Sequence, residues 1–216
     1  DWENALPENI HLAYLPNNGI VKLRLSGEST DALSLEFSIN QQISSLHQIL
    51  GNAIVVVDDI PLEAYAGNLL KEKRMTLATA ESCTGGNIAH LITSVAGSSD
   101  YYKGSVVAYA NEVKINILGV NPDDIKEYGA VSQQVAEQMA EGVRRVLKTD
   151  IAVSTTGIAG PTGGTTDKPI GTVWIAISTK AGVISKEFIY GKVRQQNIDR
   201  FTQTALLMLI DSLKSE

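Results

Sequence analysis

The chain has 216 residues, 44% hydrophobic and 19% charged, with a net charge of −6. That length suits one large domain or two small ones, and the apolar content excludes a disordered chain. No apolar run approaches the roughly 18 residues that span a bilayer, and no signal peptide opens the sequence, so the expectation is a cytoplasmic protein without a membrane partner.

The sequence starts Asp1-Trp2-Glu3 without a methionine, as a piece of a longer protein would. Residues 9–15, the turn signal Pro16-Asn17-Asn18-Gly19 and the alternating Ile20-Val21-Lys22-Leu23-Arg24-Leu25 predict a β-hairpin. Phe37, Ile39, Ile43, Leu46, Ile49 and Leu50 recur at helical spacing, with Gly51 as C-cap, and residues 53–57 predict a short buried strand. Residues 1–58 therefore read as a small α+β domain. Lys22 and Arg24 stand there against seven acids, a net of −5, while the rest of the chain holds 16 basic and 17 acidic groups. A nucleic-acid binder carries a basic face, so this distribution argues against a nucleic-acid partner.

Asp58-Asp59-Ile60-Pro61 marks a boundary and a helix start, and Leu62, Tyr65, Leu69 and Leu70 line one face of that helix. Strands and helices then alternate through residues 59–216: strand 76–80, helix 87–95, strand 105–109, helix 113–118, and helix 132–147 with Ser132 as N-cap. Strand 151–155, a hairpin of 172–178 with 185–190, and a last helix over 196–213 complete the series. The alternation predicts an α/β fold, a three-layer arrangement with helices on both faces of a sheet.

Ligands of open α/β sheets bind beyond the carboxyl ends of the strands, and three such ends carry unusual loops. Ala80-Glu81-Ser82-Cys83-Thr84-Gly85-Gly86 places two nucleophile candidates, Ser82 and Cys83, beside a helix N-terminus whose N–H groups suit an oxyanion or a phosphate. Tyr109-Ala110-Asn111-Glu112-Val113-Lys114 offers a lysine that is either a surface residue or a general base. Residues 155–169 form a Gly- and Thr-rich loop that ends in no Gly-Lys-Ser/Thr and so is not a Walker loop. Gly-x-Ser-x-Gly and His-Glu-x-x-His are absent, a single cysteine excludes an internal disulfide and Cys-rich zinc scaffolds, and three histidines give little for a metal site. What remains is a Ser or Cys nucleophile with a lysine base.

Thr79-Ala80-Glu81-Ser82-Cys83-Thr84-Gly85-Gly86, Ala96-Gly97-Ser98-Ser99, Val107 through Lys114, Gly129-Ala130-Val131-Ser132, and Thr156-Gly157-Ile158-Ala159-Gly160-Pro161 through Gly171-Thr172-Val173 together resemble the CinA C-terminal domain family. Its members of known activity are nicotinamide mononucleotide deamidases. The resemblance implies hydrolysis of the carboxamide of nicotinamide mononucleotide with release of ammonia, without cofactor or metal. It implies Ser82 as nucleophile, Lys114 as its base, Tyr109 as an assisting hydroxyl and Thr156 beside the reacting carboxamide. Glu81, Cys83, Thr84, Gly85, Gly86, Asn111, Gly157 and Gly160 fall in the implied substrate site, and Arg194 or Arg200 in a phosphate-binding role. The family's Gly-Asp-Arg pattern is altered here, with Lys192 for Asp and Arg194 one position late. Residues 1–58 resemble the small KH-like linker domain of longer CinA proteins through Leu12-Ala13-Tyr14-Leu15-Pro16, without a Gly-x-x-Gly clamp. In those proteins a molybdopterin-binding-like pyrophosphatase domain comes first. A homodimer is implied as well. The alternatives are an inactive domain serving assembly and a module that contacts nucleic acid.

Overall fold

The computed structural model describes residues 2–17, 19–57 and 59–215. The chain divides into two compact units, residues 1–59 and 60–216. In the first, β1 (Ile10–Asn17) and β2 (Ile20–Gly27) pair antiparallel, with Leu12 opposite Leu25 and Tyr14 opposite Leu23. The predicted hairpin is present, and its strands reach further into the turn than the Pro-Asn-Asn-Gly signal places them, since Pro16 pairs with Val21. A proline lacks an N–H, and a two-stranded ribbon tolerates it because every strand is an edge. Of the expected turn and boundary residues, Asn18 and Asp58 lie outside the described residues, as does the starting Asp1.

The helix α1 (Ala32–Leu50) starts where Asp31 accepts the Leu33 N–H at 3.1 Å and stops at Gly51, whose φ of 51° suits a C-cap. The strand expected over 53–57 does not form: Gly51–Ala53 is a 3₁₀ turn and residues 54–57 are irregular. Strand propensity measures fit to a sheet, and no described strand pairs with this run.

The second unit contains α2 (Leu62–Lys73), β3 (Leu77–Glu81), α3 (Asn87–Ser94), β4 (Tyr102–Val107), α4 (Asn111–Asn116), α5 (Pro122–Tyr128), α6 (Gln133–Leu147), β5 (Ile151–Gly157), β6 (Thr172–Ser178), β7 (Val183–Ile189) and α7 (Arg194–Ser215). The sheet order is β4-β3-β5-β6-β7. Strand β3 runs parallel to β4 and β5, whereas β6 is antiparallel to both β5 and β7. The carboxyl ends of β4, β3, β5 and β7 therefore share one edge of the sheet.

Alternation along the strands sorts the two faces. Ala78, Ala80 and Ala152 pack on Val135, Met139 and Val143 of α6, and Ala176 packs on Ala136 and Ala140. Small residues on both sides let α6 approach closely. Leu77, Val153, Ile175 and Ile177 point to the other face, where α7 lies on β5 and β6 with α2 and α3 beside it. Helices thus cover both faces of a mixed sheet. The helix α5 was not foreseen, although Asn121-Pro122-Asp123-Asp124 holds its signal: Asn121 accepts the Asp123 N–H at 3.0 Å and Pro122 opens the helix. Ser132 does precede α6, but its hydroxyl donates to the Gly129 carbonyl at 2.9 Å and does not cap the helix.

Gly142 shows how tightly α6 is seated. A Cβ built on it would stand 2.1 Å from the Leu118 carbonyl oxygen. In an open helix Gly→Ala gains about 1 kcal/mol. Here the sign reverses, and Gly142→Ala should destabilise by about 2 kcal/mol or more, read as a lowered urea midpoint, because a backbone atom cannot yield as a side chain does.

Candidate active site

The first wall of the site is the loop after β3. Glu81 ends that strand on the α3 side, and its carboxylate is wholly buried. Oε2 accepts the N–H of Gly86 at 3.0 Å and of Ile88 at 3.1 Å, and Oε1 accepts that of Ala89 at 2.8 Å. Thr84 Oγ1 adds a donor to Oε2 at 2.7 Å. The chain curls back this far because Gly85 and Gly86 adopt φ of 63° and 97°, where a side chain is disfavoured. Glu81 thus satisfies the first turn of α3 and neutralises the positive end of its dipole. Ser82, the next residue, is fixed by its own N–H donating to the Thr155 carbonyl at 2.9 Å.

The second wall is the turn from β4 into α4. Lys114 is only 1% exposed. A helical side chain leans toward the N-terminus of its helix, so Lys114 reaches back to the sheet edge. Its Nζ donates to the Ala108 carbonyl at 2.7 Å, to Ser82 Oγ at 3.1 Å and to the Tyr109 carbonyl at 3.4 Å. Burial holds its pKa below the ordinary lysine value, with neighbouring Cys83 a smaller, opposing influence. The Cys83 thiol is buried too, and burial pushes it up to about 12.

The third wall comes from the ends of β5 and β7. Thr156 Oγ1 donates to the Ala130 carbonyl at 2.7 Å, and Lys168 Nζ donates to the Tyr128 carbonyl, so the loop before α6 is tied to the Gly-rich loop. Arg194, first residue of α7, donates from Nη1 to the Gly160 carbonyl at 2.8 Å and from Nη2 to Tyr109 Oη at 3.2 Å. The Tyr109 side chain is 63% exposed at this mouth. Between the walls lies a cleft of about 210 Å³.

A family model described as the CinA C-terminal domain matches residues 59–213. The chain belongs to the CinA family. A CinA-like protein of Flavobacterium psychrophilum is 48% identical over 209 residues, covering 96% of this chain and 50% of its own length. One from Cytophaga hutchinsonii is 46% identical over 210 residues, covering 97% and 50%. The chain spans about half the length of the curated relatives it matches. Among solved structures, the competence/damage inducible protein CihA from Agrobacterium tumefaciens has 39% identity and a TM-score of 0.69, covering 71% of this chain and 93% of that one. A CinA superfamily protein from Klebsiella pneumoniae has 29% identity and a TM-score of 0.70, covering 72% and 97%.

Within this CinA domain the cleft brings together Ser82, Cys83, Tyr109, Asn111, Lys114, Thr156, Gly157 and Arg194. Glu81, Thr84, Gly85, Gly86, Gly160 and Arg200 do not line it. Glu81, the Thr84 hydroxyl and the Gly86 N–H are spent on capping α3, so it is the Ser82–Cys83 part of this loop that faces the cleft. Gly160 serves the site only through its carbonyl, held by Arg194. Arg200 lies further along α7 with its guanidinium over the Tyr190 ring, 5.8 Å from the centroid. Ala130, Val131 and Ala159 also line the cleft and were not foreseen as site residues. All three belong to motifs that the resemblance quoted, but their apolar side chains gave no chemical signal. No helix among the described residues is long and apolar enough to cross a membrane.

Proposed function

We propose that the CinA domain of this chain is an amidohydrolase that converts nicotinamide mononucleotide to nicotinate mononucleotide and ammonia. The observation that carries the chemistry is a buried lysine amine 3.1 Å from the Ser82 hydroxyl oxygen, with its pKa held down by burial. The likeness of the five motifs to the deamidases of the family supports the substrate.

An amide is a poor electrophile, so attack needs an activated hydroxyl, a site for the oxyanion and a proton for the leaving ammonia. Neutral Lys114 directs its two N–H bonds to the Ala108 and Tyr109 carbonyls, which leaves its lone pair for the Ser82 hydroxyl. The Ser82 proton passes to Nζ as Oγ bonds to the carboxamide carbon. The N–H groups of Ser82, Gly85, Gly86 and Asn87 are engaged within the protein, so that of Cys83, which lines the cleft, is assigned to the developing oxyanion. Nζ then gives its proton to the departing nitrogen, the C–N bond breaks, ammonia leaves and an acyl-serine remains. Water loses a proton to Nζ and attacks the ester, and the Ser82 oxygen regains a proton as the carboxylate product departs. Arg194 at the mouth is the cation in reach of a phosphate.

Ammonia release from nicotinamide mononucleotide tests this reading. Ser82→Ala should lose all measurable activity, and Cys83→Ala should keep it within about fivefold, because a thiol with a pKa near 12 supplies little thiolate at neutral pH. Full activity in Ser82→Ala would overturn the mechanism. In the folded protein Cys83 should also resist iodoacetamide at neutral pH and react once urea unfolds the chain.

A further inference from the structure

Asn197 sits one turn after Arg194 on α7 and is wholly buried. Its Nδ2 donates to the Ala159 carbonyl at 3.0 Å and to the Gly191 carbonyl at 2.9 Å. Its Oδ1 is buried as well and finds no donor among the described residues. The amide orientation is fixed by these contacts, since a flip would set Oδ1 against two carbonyl oxygens. A leucine of similar size would remove the unsatisfied Oδ1 but would leave the Ala159 and Gly191 carbonyls without their donor, so the NH₂ group is what this position supplies. What it provides is a bridge between two loops, one carrying Ala159 of the cleft wall and the other leading into Arg194.

We infer that Asn197 is a positioning residue, which locks the Gly-rich loop against the start of α7 and so sets the far wall of the cleft. Arg194 grips Gly160, the next carbonyl along, from the same helix. Two side chains one helical turn apart therefore hold two consecutive carbonyls of the loop, one from the buried side and one from the mouth. Asn197 touches no reacting atom. Its effect on the reaction rests on the amidohydrolase reading, but its effect on the loop does not.

The test is to make Asn197→Leu and Asn197→Asp in the full chain and to follow amide hydrogen exchange together with ammonia release from nicotinamide mononucleotide. Exchange over residues 158–171 should quicken about tenfold in Asn197→Leu, the scale set by one to two lost hydrogen bonds, while β3 and β5 keep their protection. Asn197→Asp, which turns donors into acceptors facing carbonyls, should loosen the same segment more. In both, KM should rise more than kcat falls, because the catalytic pair is untouched and the wall is not. Unchanged exchange in 158–171, or equal loosening throughout the sheet, would overturn the inference. If Asn197→Leu fails to fold, Asn197→Asp near pH 5 retains one donor through its protonated form, and its exchange at pH 5 and pH 8 decides, with tighter protection expected at the lower pH. Should the parent chain release no ammonia, the amidohydrolase reading fails alone and the exchange pattern still decides the role of Asn197.

Discussion

Lys114→Met should remove ammonia release by about 10⁴-fold or more while leaving the thermal midpoint unchanged or higher. The two outcomes diverge because the amine is needed for chemistry and is a burden to folding. Nζ is the base proposed for Ser82, and among the described residues it is the titratable group that meets that hydroxyl, at 3.1 Å. Burial, however, penalises the charged amine, and methionine has nearly the shape of lysine without the charge. The pH dependence follows with a definite sign. A lysine lowered by burial loses its proton in the folded state at a pH where the unfolded chain, with its ordinary value of 10.5, still keeps one. Across that window the unfolded state binds more protons, so stability contributed by this site rises with pH and its cost is fullest below the lowered pKa. Turnover should rise with pH through the same lowered value, since only the neutral amine accepts the Ser82 proton. In Lys114→Met this part of the stability profile should vanish. Urea melts at several pH values and an initial-rate profile of the parent chain check both limbs. A parent rate that falls as pH rises from 6 to 9 would count against a lysine base.

Glu81→Leu should unfold the second unit or lower its stability by about 4 kcal/mol or more, and Glu81→Gln should cost about half as much. The carboxylate accepts three backbone N–H groups and the Thr84 hydroxyl in a site without water access. Leucine takes the acceptor away from the three backbone N–H groups and leaves the Thr84 hydroxyl with Thr155 Oγ1, 2.8 Å away. Glutamine keeps one oxygen, but its NH₂ must face a donor. Because Ser82 is the next residue, the glutamine variant should also lose activity beyond what its remaining folded fraction explains. Denaturant midpoints and rates corrected for folded fraction separate the two effects. A glutamine variant with parental rate and midpoint would show that the cap is dispensable.

Much of the second unit was legible because periodic burial writes itself into the sequence. Val135, Met139 and Val143 mark α6, and Ile151 to Thr155 marks a strand buried on both faces. Ser82, Cys83 and Lys114 were legible as candidates from the loops at the strand ends, but the choice of Ser82 with Lys114 came from the family's motifs, since nothing in a lone lysine after a strand says that it will be buried. Glu81 misled for a physical reason: an acid beside glycines at a helix start reads equally well as substrate contact or as cap, and only the backbone path past Gly85 and Gly86 decides. Asn197 left no signal, because a polar residue on an amphipathic helix is expected on its wet side. The strand read into 53–57 failed because a run of β-branched residues specifies a preference and not a partner.

The antiparallel entry of β6 has a consequence for how this scaffold can vary. Gly157 pairs with Val173, so the Gly-rich loop leaves and rejoins the sheet at neighbouring positions on the same edge. Its length is thereby uncoupled from strand register: residues can be added or removed between them without shifting any pairing of β5 with β3. Closing a longer loop costs only about 0.6 kcal/mol per doubling. The nucleophile loop and the lysine turn have no such freedom, because each is the single short link between a strand and the helix that covers it. Changes in what the cleft admits are therefore cheapest to make between Gly157 and Thr172, with the Ser82 and Lys114 geometry carried along unaltered.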